Sequence, residues 1–248
     1  MKQNLRLFAT AAELAEGVAE AIVDLLSAEV RTRGTASIAL SGGSTPCAVY
    51  EKLSSPAWRE RVDWPRVHFF WGDEACGPPT ARQGSYRLAE ETLLKPLGIA
   101  ASHIHRIQTE HPPQVAAEQY EAEIRSHFNL RAGQVPEFSV VLLGLGLDGR
   151  IASLHPHTSV LGERSKLAAA VFLEKTQSSQ VTLTLPVINH ARNVLILVSG
   201  RGKAQILQAV LEDDMPVYPA QLVQPVEGEL LWCADSDAAS ALDITRYL

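Results

Sequence analysis

Four stretches of this chain are apolar without alternation: ASIAL (36–40), VHFFWG (67–72), FSVVLLG (138–144) and NVLILVSG (193–200). Runs of strand length that do not alternate predict strands buried on both faces. Each runs into a polar loop that carries glycine: SGGSTP, GDEACGPP, GLGLDGRIASLHP and SGRGK. Helical patterns lie between the strands, so the chain predicts an α/β fold: a doubly wound, mostly parallel sheet with helices on both faces. Ligands of such sheets bind beyond the carboxyl ends of the strands. The four loops are therefore predicted to converge on one site.

The helical segments have readable ends. Thr10 and Glu13 form a capping-box pair ahead of Leu14, Val18, Ile22 and Leu25, and Gly34 is the stop. Pro46 suits the first turn of a helix running to about Leu53. SYRLAEETLLKPL, VAAEQYEAEIRSHFN (115–129) and GKAQILQAVLE predict further helices. HIHRI reads as a weak strand decorated by His103 and His105, and AAAVFLE and VTLTLP as strands. ELLWCAD and SDAASAL are read as a closing strand and helix, and Trp58, Trp64 and Trp71 as core. With no repeat and no long linker, residues 1–248 are expected to form one domain.

Composition removes several classes of function. The formal charge is −6 with no basic block, which argues against nucleic acid as the main partner. The N-terminal segment is broken by glutamates and offers no membrane span. Three cysteines with no CxxC or Cys/His spacing predict reduced thiols, no metal site and a cytoplasmic protein. His155 and His157 flank a proline, but no third ligand is evident beside them.

The loops carry the candidate chemistry. Ser41, Gly42, Gly43, Ser44 and Thr45 place backbone N–H groups and hydroxyls at a helix start, a natural phosphate cradle. No GK[ST] follows, so this is not a Walker A loop. Lys203 can reach the same phosphate. Asp73 and Glu74 end the VHFFWG strand, where a carboxylate either serves in acid–base chemistry or caps the next turn. Asp148 is open to the same two readings, the second as a loop-closing residue.

Together these stretches resemble the 6-phosphogluconolactonase family, within the larger group that includes glucosamine-6-phosphate deaminases. The resemblance rests on ALSGGSTP, VHFFWGDE–C–PP, YRLAEETLLKPLGI, LLGLGLDG–ASL–P, VTLTLPVIN–AR, LILVSG–GKA and PAQLV, in order and over nearly the whole chain. It implies a Rossmann-like fold and hydrolysis of 6-phosphogluconolactone in the oxidative pentose phosphate pathway, with no metal or organic cofactor. It also implies a phosphorylated sugar lactone or sugar acid as ligand. By this resemblance Gly42, Gly43, Ser44 and Thr45 line the phosphate site with help from Lys203. Asp73 matches the aspartate of a DER motif, and Asp148 that of a DGH motif.

The chain departs from the family where the chemistry is expected. DGHTASLFP reads DGRIASLHP, so the histidine expected as base is Arg150. DER reads DEA, placing Ala75 where an arginine is usual; Gln180 replaces the arginine often found before TLT. PPxHxxSNY reads PPTARQGSY, with Ala81 for the histidine and Gly84-Ser85 for Ser-Asn. Arginine stays protonated and cannot be the base. Three readings follow: a lactonase with a relocated base (His155, Glu74 or Asp148), a catalytically impaired relative that binds a sugar phosphate as sensor or partner subunit, or an enzyme on another phosphosugar using Asp73 and Asp148. The candidate catalytic set is Asp73, Asp148, Arg150 and His155.

Overall fold

A computed structural model describes residues 4–77, 84–213 and 215–247. Its main sheet has six strands: β1 (Asn4–Phe8), β2 (Ala36–Leu40), β3 (Val67–Trp71), β5 (Val140–Gly144), β8 (Asn193–Val198) and β9 (Glu229–Asp235). Their order is β1-β9-β8-β5-β2-β3, and every neighbouring pair is parallel. All four apolar runs are strands of this sheet. Residues Val140 to Leu143 are fully buried, as strands covered on both faces require. β1 was not read from the sequence. NLRLF is a largely exposed edge strand without an apolar run.

The chain adds β3 outside β2, then returns to place β5 on the other side of β2. The β2/β5 boundary is therefore a topological switch point, where the loops leaving two adjacent strands diverge and open a crevice. The helices are α1 (Ala11–Arg33), α2 (Ser44–Ser54), α3 (Ser85–Ala89), α4 (Lys95–Leu97), α5 (Pro113–His127), α6 (Leu185–Asn189) and α7 (Ala204–Glu212). Thr10 accepts from the Glu13 N–H and Gly34 closes α1 at φ 84°, as predicted. A π turn over Glu90–Leu94 joins α3 to α4, so the predicted 85–97 helix exists with a bulge in its middle. No helix among the described residues is long and apolar enough to cross a membrane.

A second sheet departs from the sequence reading. β4 (Asp73–Ala75), β7 (Ser178–Leu183) and β6 (Ala168–Leu173) form an antiparallel sheet in the order β4-β7-β6. AAAVFLE and VTLTLP do yield strands, but they pair with each other and with β4 rather than joining the parallel sheet. The switch is made at Gly72, whose N–H donates to Leu40 of β2 and whose carbonyl accepts from Leu183 of β7. Two further predictions fail. HIHRI is no strand: a 3₁₀ turn at Ala101–His103 leads to a single bridge between Ile104 and Phe69. SDAASAL forms turns and not a helix, although the Asp235 carboxylate accepts from the Ala238 N–H as a helix cap would.

One continuous apolar core joins both sheets and the helices, and Trp58, Trp64 and Trp71 lie within it as predicted. Two buried tyrosines fasten strand ends at the edge where the loops emerge. The Tyr50 hydroxyl accepts from the Ser41 N–H at 3.0 Å and donates to the Ser41 carbonyl at 2.7 Å. Tyr120 does the same for Trp71, at 2.8 Å for both bonds. Each satisfies a backbone pair that would otherwise be buried without partners.

Candidate active site

The crevice at the switch point is a cavity of about 360 Å³. It is lined by Ser41, Gly42, Gly43, Ser44, Thr45, Asp73, Arg150 and Lys203, eight of the ten predicted site residues. Asp148 and His155 stand outside the lining and contact it through neighbours.

One wall comes from the parallel sheet. Gly43, at φ 102°, turns the chain from β2 into α2, a conformation that disfavours any residue with a Cβ. No side chain caps α2, so the N–H groups of its first turn are free for a ligand. Gly42 leaves room for Ser85, whose Oγ would lie 2.5 Å from a Cβ at that position. Lys203 lines the same wall and donates to the Leu145 carbonyl at 2.6 Å. Burial lowers its pKa below 10.5, and the nearby Arg150 charge acts in the same direction. The loop that carries Lys203 is anchored by a residue the sequence reading passed over. Asp235 is buried and accepts from Ser199 Oγ at 2.5 Å and from the Gly200 N–H at 3.0 Å. Its position at the end of an apolar strand was the signal available.

The opposite wall is built on the antiparallel sheet. Strand alternation sends Asp73 and Ala75 to one face of β4 and Glu74 to the other. Asp73 faces the cavity and accepts from Ser153 Oγ at 2.5 Å. Burial raises its pKa above 3.8, while the Ser153 hydroxyl and the Arg150 charge oppose the rise. Ser153 was not predicted as a site residue. It is held by Thr182, the cross-strand partner of Asp73, whose Oγ1 accepts from the Ser153 N–H at 3.3 Å. Glu74 is no candidate base. Its carboxylate accepts from the backbone N–H groups of Ala75, Ser85 and Tyr86 and so holds the start of α3.

The loop after β5 closes the site. Asp148 takes the second of its two readings, as a loop-closing residue. Its Oδ1 accepts from the Arg150 N–H at 3.3 Å, closing the turn, and pairs with Arg150 Nη1 at 2.9 Å. Burial alone would raise the Asp148 pKa, but the guanidinium outweighs it and holds the carboxyl low. Arg150 thus points into the cavity. Gly149 sits at φ 74° against the Tyr218 ring, where a Cβ would meet ring carbon at 2.5 Å. This contact, with the Ala220 N–H donating to the Gly149 carbonyl, explains why PAQLV belongs with the loop. His155 lies behind the lining. Its Nδ1 is 3.4 Å from Asp148, and its Nε2 is 3.0 Å from the Gln180 amide that faces the cavity.

Ala75 and Gln180 are direct cross-strand partners. Two of the departures expected from the resemblance thus occupy one spot on the wall, and Gln180 shares the cavity lining with Arg150. Ala81 lies outside the described residues, whereas Ser85 lines the cavity beside Gly42.

The model of the family "Glucosamine-6-phosphate isomerases/6-phosphogluconolactonase" matches residues 9–232. The chain belongs to this family. A 6-phosphogluconolactonase of Nostoc sp. is 34% identical over 248 residues, covering 98% of this chain and all of the relative. The 6-phosphogluconolactonase of Synechocystis sp. is 38% identical over 216 residues, 86% of this chain and 87% of the relative. Among solved structures, 6-phosphogluconolactonase from Trypanosoma brucei superposes with a TM-score of 0.87 at 29% identity, covering 97% of this chain and 99% of that one. In this member of the family the glycine turn and Lys203 line the cavity together with Asp73, Arg150 and Gln180.

Proposed function

We propose that this chain is a cytoplasmic, single-domain 6-phosphogluconolactonase that hydrolyses 6-phosphogluconolactone to 6-phosphogluconate in the oxidative pentose phosphate pathway. The observation that carries the reading is the cavity itself. It combines an uncapped helix N-terminus and Lys203 on one wall with a partly buried carboxylate on the other. Its volume falls in the range of small-molecule sites. The names of the relatives support the same activity. Three unpaired cysteines suit a reducing compartment.

In this reading the substrate phosphate sits on the N–H groups of Ser44 and Thr45, with the hydroxyls of Ser41, Ser44 and Thr45 and the Lys203 ammonium around it. The lactone ring then lies toward Asp73 and Arg150. Among the described residues lining the cavity, Asp73 is the only titratable group that can accept a proton at neutral pH, because Arg150 and Lys203 are cations. We therefore assign it as the base. Water attacks the lactone carbonyl carbon as its proton passes to Asp73. Arg150 stabilises the oxyanion of the tetrahedral intermediate. When the intermediate collapses, the ring C–O bond breaks and Asp73 returns the proton to the departing ring oxygen. Asp148 orients Arg150, and His155 supports Asp148.

The test is a coupled assay on freshly prepared 6-phosphogluconolactone, corrected for spontaneous hydrolysis. Acceleration above the uncatalysed rate is expected. No acceleration, together with thermal stabilisation by 6-phosphogluconate, would overturn the assignment in favour of an impaired relative that only binds its ligand.

A further inference from the structure

Away from the cavity, a histidine cluster has no part in the lactonase reaction. His68 on β3, His105 after the Ala101–His103 turn, and His127 at the end of α5 each bring one imidazole nitrogen to within 4.8 Å of the others. All three side chains are partly buried. His68 Nδ1 lies 3.0 Å from His105 Nε2. His105 Nδ1 lies 2.6 Å from a carboxylate oxygen of Glu123, one turn before His127 on α5. The His127 ring centroid is 4.4 Å from that of His68 and 4.8 Å from that of His105.

The arrangement has the parts of a coordination sphere. Glu123 fixes the proton of His105 on Nδ1, which leaves the Nε2 lone pair facing His68. A carboxylate behind a ligating imidazole is the usual outer partner of a metal-bound histidine. With bonds of about 2.0–2.1 Å, two nitrogens on a tetrahedral zinc ion stand roughly 3.3 Å apart. The His68–His105 pair is already near that separation. His127 needs only a side-chain adjustment to complete a face. Three imidazoles suit divalent zinc, copper or nickel rather than magnesium or calcium. The ligands come from three separate segments, so no short sequence spacing announces them, and the expectation of no metal site rested on such spacings.

We propose that His68, His105 and His127 bind one divalent transition-metal ion of the zinc class, with Glu123 behind His105 and the fourth position left to solvent. The ion ties the edge strand β3 to α5 and to the segment between them. It is a structural clamp, separate from the lactone chemistry.

The test uses the full chain stripped with a chelator and titrated with Zn²⁺ by calorimetry, alongside Co²⁺ followed by visible absorption. One Zn²⁺ per chain is expected, with a Zn²⁺-dependent rise in melting temperature and intense Co²⁺ bands of tetrahedral character. His127→Ala should abolish the rise and weaken binding at least tenfold, and Glu123→Gln should weaken it roughly ten- to hundredfold. Lactonase activity of His127→Ala should match the parent. Uptake at one equivalent that survives both His105→Ala and His127→Ala would overturn the proposal by placing the ion elsewhere. Should those variants fail to fold, the parent chain alone decides: no stoichiometric Zn²⁺ uptake and no tetrahedral Co²⁺ spectrum would also overturn it.

Discussion

The two walls of the cavity hold their polar groups by different means. On the parallel-sheet wall the binding groups are mostly backbone N–H groups at the start of α2, with Lys203 beside them. Their positions are set from beneath, by Tyr50 under Ser41 and by Asp235 under Gly200. On the opposite side the lining is made by the side chains of Asp73 and Gln180 from the antiparallel sheet and of Arg150 from the loop after β5. Of the departures expected from the family resemblance, Ala75 and Gln180 pair on the second wall and Arg150 stands on the loop after β5, while Ser85 lies against Gly42 of the first wall. A backbone cradle survives sequence change as long as its turn survives. A wall of side chains changes its chemistry with each substitution. The pairing of Ala75 with Gln180 also makes two departures a single local event. Arg150 brings a positive charge to the same cavity.

The sharpest way to break this contrast is Asp73→Asn. If Asp73 is the base, kcat should fall by about 10²–10⁴-fold with little change in KM. The pH profile of the parent gives the sign. Burial raises the Asp73 pKa above 3.8, and the base must be deprotonated, so kcat/KM should fall as pH drops through that raised value. The acid limb should be absent in Asp73→Asn. His155→Gln, by contrast, should cost less than about tenfold, because Gln180 stands between His155 and the cavity. A larger loss in His155→Gln, with the acid limb kept in Asp73→Asn, would move the base to His155.

On the first wall, Lys203→Met should raise KM by about ten- to hundredfold, the range of a lost charge-assisted hydrogen bond, and leave kcat nearly unchanged. Burial, then Arg150, lowers the Lys203 pKa below 10.5. KM should therefore rise as pH climbs through that lowered value, and this alkaline limb should vanish in Lys203→Met. A fall in kcat instead would mean that Lys203 acts on the reacting carbonyl, and the division between the two walls would fail.

The difference between the walls also explains what the sequence could reveal. Four of the six parallel strands were legible because burial on both faces leaves an apolar run with no alternation. SGGSTP was legible because a glycine turn between a strand and a helix is a local device. The antiparallel sheet was not, since β4 is three residues long and its pairing with β7 joins positions more than 100 residues apart. Whether Asp73 or Glu74 faced the ligand was undecidable from adjacency alone. The turn at Gly72 sets the strand phase, and that phase comes from bonds to both β2 and β7. Ser153 was missed for the same reason: its hydroxyl meets Asp73 across 80 residues of sequence, and its backbone is held by Thr182 of β7. The reading of HIHRI as a strand failed because its histidines are gathered by His68 and α5, which no local pattern records.

The smallest expected effects separate the walls without touching a group that meets substrate. Tyr50→Phe and Tyr120→Phe each remove one hydroxyl that both accepts from and donates to a single buried residue. Each leaves a buried N–H and a buried carbonyl short of a partner, at a cost of about 1–3 kcal/mol. For a chain of this size that corresponds to a fall in melting temperature of roughly 2–4 °C per kcal/mol. The two losses of stability should be similar, but their effects on the site should differ. Ser41 leads into the phosphate cradle, so Tyr50→Phe should raise KM a few-fold. Trp71 leads through Gly72 into Asp73, so Tyr120→Phe should lower kcat instead. If both variants shifted the same kinetic constant, the strand ends would be coupled through the shared β2/β3 pairing, and the two walls would have to be treated as one unit.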